Sequence, residues 1–284
     1  TMSSVEQNNR TELEVPETDW PSGVSAEPKQ SLFEQYSALI LGGSSVLIAL
    51  IIWELCWWAG FIDPLFFSGP SAIAARFARE WSEGELTYHL SFSAQNFLTG
   101  FTLATVVSVP LGILLGWYRI PRLVLDPFIN GFYATPRIAF IPLIIMWFGI
   151  GLGAKIFIVF LSVFFPILIN TIHGVKTTDA QLLKAARSFC ASEWEIFRSV
   201  VLPCTVPFIV TGIRQGVAHG LIGVVVGEFF VGSDGIGYLI GEGGTMFETD
   251  LLFVGVVIVM FIGITMSQLL NRVTGYFDRW RTEV

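Results

Sequence analysis

Arg214, Gln215, His219 and Glu228 lie within an otherwise apolar run, residues 204–231. An ionisable group at mid-membrane costs roughly 2.5–3.5 kcal/mol on insertion scales, so such residues tend to face a pore or a partner. On one helix, Arg214 and Glu228 are about 40° off a common face and ~21 Å apart. They therefore cannot pair directly, and each needs a partner elsewhere. Gln215 and His219, one turn apart, share another face. A second run, 123–148, contains Pro127, Pro136 and Pro142, and Arg137 follows Pro136 directly. Proline removes a donor and kinks a helix, and broken helices at membrane depth often line transport pathways. Arg137 either attracts an anion, pairs with a carboxylate or snorkels. Asn170 and His219 suit hydrogen bonding between helices. Pro136, Arg137, Asn170, Arg214, Gln215, His219 and Glu228 are thus the candidates for a translocation pathway.

Bond-making chemistry has no such support. Gly149–Lys155 is glycine-rich but lacks the Gly-Lys-Ser/Thr ending of a phosphate-binding loop, and reads as a tight external turn. Gly232–Gly244 reads as an external loop. His89, His173 and His219 are far apart, and Cys56, Cys190 and Cys204 have no metal-binding spacing. The expectation is a chain with no catalytic residue, no metal and no cofactor of its own. Nothing points to nucleic acid.

Of the 284 residues, 53% are hydrophobic and 14% charged, with mean hydropathy +0.66. A soluble domain carries about a quarter charged residues, so this is an integral membrane protein. A span takes about 20 apolar residues. Six are legible, at about 37–59, 89–117, 123–148, 155–174, 204–231 and 251–271. Residues 1–36 carry seven acids against Arg10 and Lys29 and read as a flexible acidic cytoplasmic tail. Lysine and arginine favour the inside by eleven to three, which places both termini in the cytoplasm. Trp53, Trp57 and Trp58 read as an interfacial aromatic belt, and Arg272, Arg279 and Arg281 with Trp280 as an inner-face anchor.

Residues 176–203 fall on the same inner side and are amphipathic. Thr178-x-x-Gln181 and Ser192-x-x-Glu195 fit the capping-box pattern. The first helix would align Leu182, Leu183, Ala186 and Phe189, and the second Trp194, Phe197 and Val201 beside Ile196 and Val200. Pro203 would end the turn before the fifth span. Such a pair either rests on lipid or docks a cytoplasmic partner. Its apolar stripe has no evident protein cover.

The stretch resembles the cytoplasmic EAA loop of ABC-importer permeases: Glu-Ala-Ala, three residues, Gly, nine residues, Ile, one residue, Leu-Pro. Lys184-Ala185-Ala186 fills the opening, Cys190 the glycine position, Val200 the isoleucine and Leu202-Pro203 the end. Lys184 replaces an acid. Cys190 replaces a glycine, and if the turn needs φ > 0 it carries a cost that glycine avoids. Leu65–Phe77, Thr135–Gly151, Val210–Phe229 and Gly235–Ile240 resemble the branch that imports nitrate, sulfonates, taurine, bicarbonate and related solutes.

The resemblance implies an all-α, six-span permease of the type I ABC importer kind in the cell inner membrane, spanning residues 37–284. It also implies a second permease copy, two ATP-binding cassette subunits that hold ATP and Mg, and an extracytoplasmic binding protein. The ATPase contact would involve Lys184, Ala185, Ala186, Phe189, Cys190, Trp194, Phe197, Leu202 and Pro203. The solute would be a small anion. The rival readings are a secondary transporter, which would show paired repeats, and a membrane assembly subunit.

Overall fold

The structure, a computed structural model, describes residues 32–61 and 63–278. Most of the acidic tail, with Arg279, Trp280 and Arg281, lies outside the described residues. Every element among the described residues is helical. α1 is Leu32–Trp58, α2 Pro70–Glu83, α3 Glu85–Trp117, α4 Arg119–Ala134, α5 Ile141–Phe148 and α6 Leu152–Lys176. α7 is Ala180–Ser188, α8 Glu193–Ile196, α9 Leu202–Val231, α10 Ile236–Thr245 and α11 Thr249–Asp278. In lipid each backbone polar group must find its partner within the chain, which favours helices.

Contacts divide the chain into two compact units at Ala49–Leu50. The first holds the start of α1, where the Ser44 and Ser45 hydroxyls donate back to the Leu41 and Gly42 carbonyls. The second holds everything from Leu50 onward.

Among the described residues five helices are long and apolar enough to cross a membrane, and α4 with the segment Arg137–Phe148 makes a sixth span if the bent pair counts as one. That pair bends by 97°. The cause is local: Thr135 is extended at φ −77°, ψ 131°, because a proline disfavours the α region for the residue before it. Pro136 alone marks the break. Pro127 lies within α4 and Pro142 opens α5, where its missing N–H costs nothing. All three prolines were expected to interrupt this span, and two of them do not.

The core is α6 packed against α3 and α9. Between apolar helices in lipid there is no hydrophobic drive to associate, so close van der Waals approach does the work. α3 buries Gly100, Ala104, Ser108, Gly112 and Gly116, one small residue per turn. A Cβ on Gly116 would fall 2.5 Å from the Cβ of Val175, and one on Gly100 2.7 Å from that of Val159. α9 presents Gly212, Gly216, Gly220 and Gly223 in the same way. Val159, Val163 and Ile167 of α6 fill the space on both sides.

Two expectations fail here. Gly232–Gly244 is mostly helix α10, not a loop. Ile236 and Leu239 anchor it in a cluster with Leu251 and Val254, and its glycines serve contact: a Cβ on Gly237 would meet the Val225 carbonyl at 2.3 Å. The tryptophans are also not a uniform belt. Trp53 packs edge-on to Phe67 and Phe253, at 5.5 and 5.7 Å, and Trp57 lies against Gly69. Only Trp58 is largely exposed.

Candidate functional site

At the end of the bundle where α9 begins, two short helices are held by complete caps. Asp179, not Thr178, caps α7: its Oδ1 accepts from Gln181 N at 2.7 Å, while the Thr178 hydroxyl donates back to the Val175 carbonyl and closes α6. Ser192 and Glu195 form the expected capping box on α8. Between them Ala191 N donates to the Ala186 carbonyl and Cys190 N to that of Arg187. This is the paired closure of a helix that ends in a left-handed residue, and Cys190 is that residue, at φ 55°. Its side chain is exposed, so nothing repays the strain. Cys190→Gly is expected to stabilise the fold by about 1 kcal/mol, read as a higher Tm in detergent. An unchanged or lower Tm would contradict the account.

The apolar residues of this pair divide into two sets. Ile196 and Val201 are buried with Val175, against Ile113, Trp117, Leu183, Ala186, Ala191 and Phe197. Trp117 and Phe197 meet edge-on at 5.5 Å. The stripe expected to lack protein cover is thus partly covered by the chain's own α3 and α6. What stays outside is Phe189, 87% exposed, Trp194, 66% exposed, and Leu182. Lys184, Ala185 and Pro203 are exposed, and Leu202 is half-buried. Pro203 does not end a helix. Phe197–Val201 form one π turn, with Leu202 N donating to the Phe197 carbonyl, and α8 runs through it into α9. The widened turn absorbs the proline's missing donor.

The seven intramembrane candidates separate into three places. At the break in the third span, Arg137 Nη1 lies 3.4 Å from His219 Nδ1, and its guanidinium lies 5.8 Å from the Tyr133 ring centre. Pro136, Arg137 and His219 line a cavity of about 480 Å³ with Ile138, Ser162 and Ile222. One turn earlier in α9, Gln215 accepts from Asn170 Nδ2 of α6 at 2.8 Å. Arg214 is exposed, has no ion pair among the described residues, and with Gln215 lines a groove between α9 and α11.

Glu228 is fully buried at the other end of α9. Its Oε2 accepts from Ser93 Oγ at 2.7 Å and Gly237 N at 3.0 Å, and its Oε1 accepts from Asn96 Nδ2 at 2.9 Å. The same turn is held by Ile236 N on Ser93 Oγ, Gly235 N on His89 Nδ1 and Lys155 Nζ on the Asp234 carbonyl. Hydrogen bonds from Ser233 and Tyr88 hold the Asp234 carboxyl below its ordinary value. Ser93, Asn96 and Lys155 were not singled out from the sequence. A polar residue in an apolar run was the available signal for each. No cluster among the described residues could hold a metal ion.

Residues 108–283 match the family described as "Binding-protein-dependent transport system inner membrane component". The chain belongs to this family of transport permeases. A putative aliphatic sulfonates transport permease protein, SsuC of Bacillus subtilis (strain 168), is 30% identical over 267 residues, 94% of this chain and 95% of that one. The riboflavin transport system permease protein RibX of Chloroflexus aurantiacus is 33% identical over 240 residues, 83% of this chain and 88% of that one. Among solved structures, an inward-facing MetNI methionine ABC transporter matches the fold with TM-score 0.56 and 20% identity, over 65% of this chain and 92% of that one. The permease is therefore a multi-pass membrane protein of the type I ABC importer fold, helical in every element of its described residues, and belongs to the nitrate, sulfonate and taurine branch rather than to the secondary transporters.

Proposed function

We propose that this permease forms the pathway of an ATP-driven importer for a small anion, and that α7 and α8 are the element through which a separate ATPase drives it. The observation that carries the docking role is the division of aromatic residues at that end of the bundle. Phe197, Ile196 and Val201 root the pair in the permease, while Phe189 and Trp194 stand exposed on rigidly capped helices. An amphipathic helix presenting anchors from a fixed base is what a groove on a partner takes up. Lys184, Ala185 and Cys190 lie beside these anchors. The working assembly is two permease copies, two ATPase subunits that hold ATP and Mg, and an extracytoplasmic binding protein. Both termini of the permease lie on the ATPase side.

The named relatives divide on solute, since one is assigned to aliphatic sulfonates and another to riboflavin at similar identity. The positive charge of Arg137 in the membrane cavity favours the anion. The test is affinity purification of the tagged permease from its native cell, with mass spectrometry and an ATPase assay. The expected result is a stoichiometric subunit carrying a phosphate-binding loop. Recovery of the permease alone, where a known importer stays intact, would overturn the reading.

A further inference from the structure

The cavity at the break in the third span holds one formal charge. Its lining comprises Tyr133, Thr135, Arg137, Ser162 and His219 as polar residues, and isoleucine, valine, alanine, proline and glycine otherwise. No carboxylate is among them. Arginine only donates hydrogen bonds, so in its contact with Arg137 the Nδ1 of His219 is the accepting nitrogen. His219 is then the neutral tautomer with its proton on Nε2. Arg137 Nε is buried and has no hydrogen-bond partner among the described residues.

The two hydroxyls do not compete as donors. Thr135 Oγ1 donates to the Gly131 carbonyl at 2.8 Å, and Ser162 Oγ to the Ile158 carbonyl at 2.9 Å. The unspent donors of the cavity are therefore those Arg137 does not give to His219, the Nε2–H of His219 and the Tyr133 hydroxyl. The rest of the wall, Ile138, Ile141, Ile158, Ile222 and Val226, is aliphatic.

We infer that this cavity is an oxyanion site, with Arg137 and His219 Nε2 holding the head group and the isoleucines taking a short alkyl tail. The solute class is an alkanesulfonate or similar organic anion without an ammonium group, because a zwitterion would bring a positive charge beside Arg137 with no carboxylate to receive it. Like charges so placed repel strongly away from bulk water. The role of the site as a stop on the import route rests on the function proposed above, but its charge selectivity does not.

The experiment reads that selectivity without the ATPase or the binding protein. Cys190→Gly and serine at Cys56 and Cys204 remove the native thiols, and Ile138→Cys places one in the cavity. Purified permease in detergent is treated with two methanethiosulfonates of similar size, one bearing a sulfonate and the other a trimethylammonium. Each forms a mixed disulfide with the thiolate and releases methanesulfinate. The sulfonate reagent is expected to react faster, and Arg137→Gln to lower the anion-to-cation rate ratio by at least about tenfold. Arg137→Lys should retain most of the ratio, and Arg137→Met, which also removes the charge, carries the test if the glutamine variant fails to fold. Millimolar ethanesulfonate should slow the reaction several-fold more than taurine does, and His219→Ala should weaken that protection. A ratio unaffected by loss of the Arg137 charge, or taurine protecting as well as ethanesulfonate, overturns the inference. Selectivity that holds in a permease recovered without an ATPase would leave the site standing and remove the importer.

Discussion

Replacing both Phe189 and Trp194 with aspartate is expected to strip the ATPase from the purified permease and abolish ATP-dependent uptake, with the membrane bundle intact. Each side chain is a large aromatic surface exposed on a helix whose position is fixed by caps at both ends of the turn. Aromatic anchors of this kind dominate protein interfaces, and two lost together weaken binding on the order of a thousandfold. The same change at Phe197 should behave differently. That ring packs on Trp117 beside the buried Ile196 and Val201, so Phe197→Asp places a charge in the permease's own core and should lower its Tm. Co-purification, uptake and Tm measured on the same samples separate the cases. Wild-type ATPase recovery with the Phe189 and Trp194 double variant would end the docking assignment. A fall in its Tm instead would return these rings to the permease's own packing or to lipid.

The spans were legible because lipid leaves the backbone few options and apolar length declares each one. The capping box at Ser192 and the turn at Cys190 were legible because both are local: four to six residues hold all the partners. Reading failed where the deciding contact is distant. Nothing near Phe197 in sequence announces Trp117, and nothing near Gly235 announces Ser93 or His89, so α10 looked like a loop. Arg137 and His219 each stood out as polar residues in lipid, yet their meeting depends on the 97° bend that folds the third span onto α9. The small residues of α3 are a different case. Gly100, Ala104, Ser108, Gly112 and Gly116 recur every fourth residue, which is the pattern that lets helices approach closely. The signal was present there in the sequence itself.

Glu228 lies at the junction of α3, α9 and α10, and its substitutions should separate hydrogen bonding from charge. Glu228→Ala removes the acceptor for three donors, Ser93 Oγ, Asn96 Nδ2 and Gly237 N. A buried donor left without a partner costs about 1–3 kcal/mol, so the alanine variant should lose on the order of 3 kcal/mol or more and release the start of α10. Glutamine is expected to be far milder. Its carbonyl oxygen can take the place of Oε2 and keep the bonds from Ser93 and Gly237. Its amide then faces Asn96, whose Oδ1 is buried without a partner. Rotation of the Asn96 amide would bring that oxygen to accept from the new NH₂, exchanging one unpartnered atom for another at no net loss. The expected order of Tm is wild type close to Glu228→Gln, with Glu228→Ala well below, and hydrogen exchange at Gly235–Leu239 should accelerate in the alanine variant alone. If glutamine proves as damaging as alanine, the negative charge is what the site requires, and buried Lys155 becomes the group it balances.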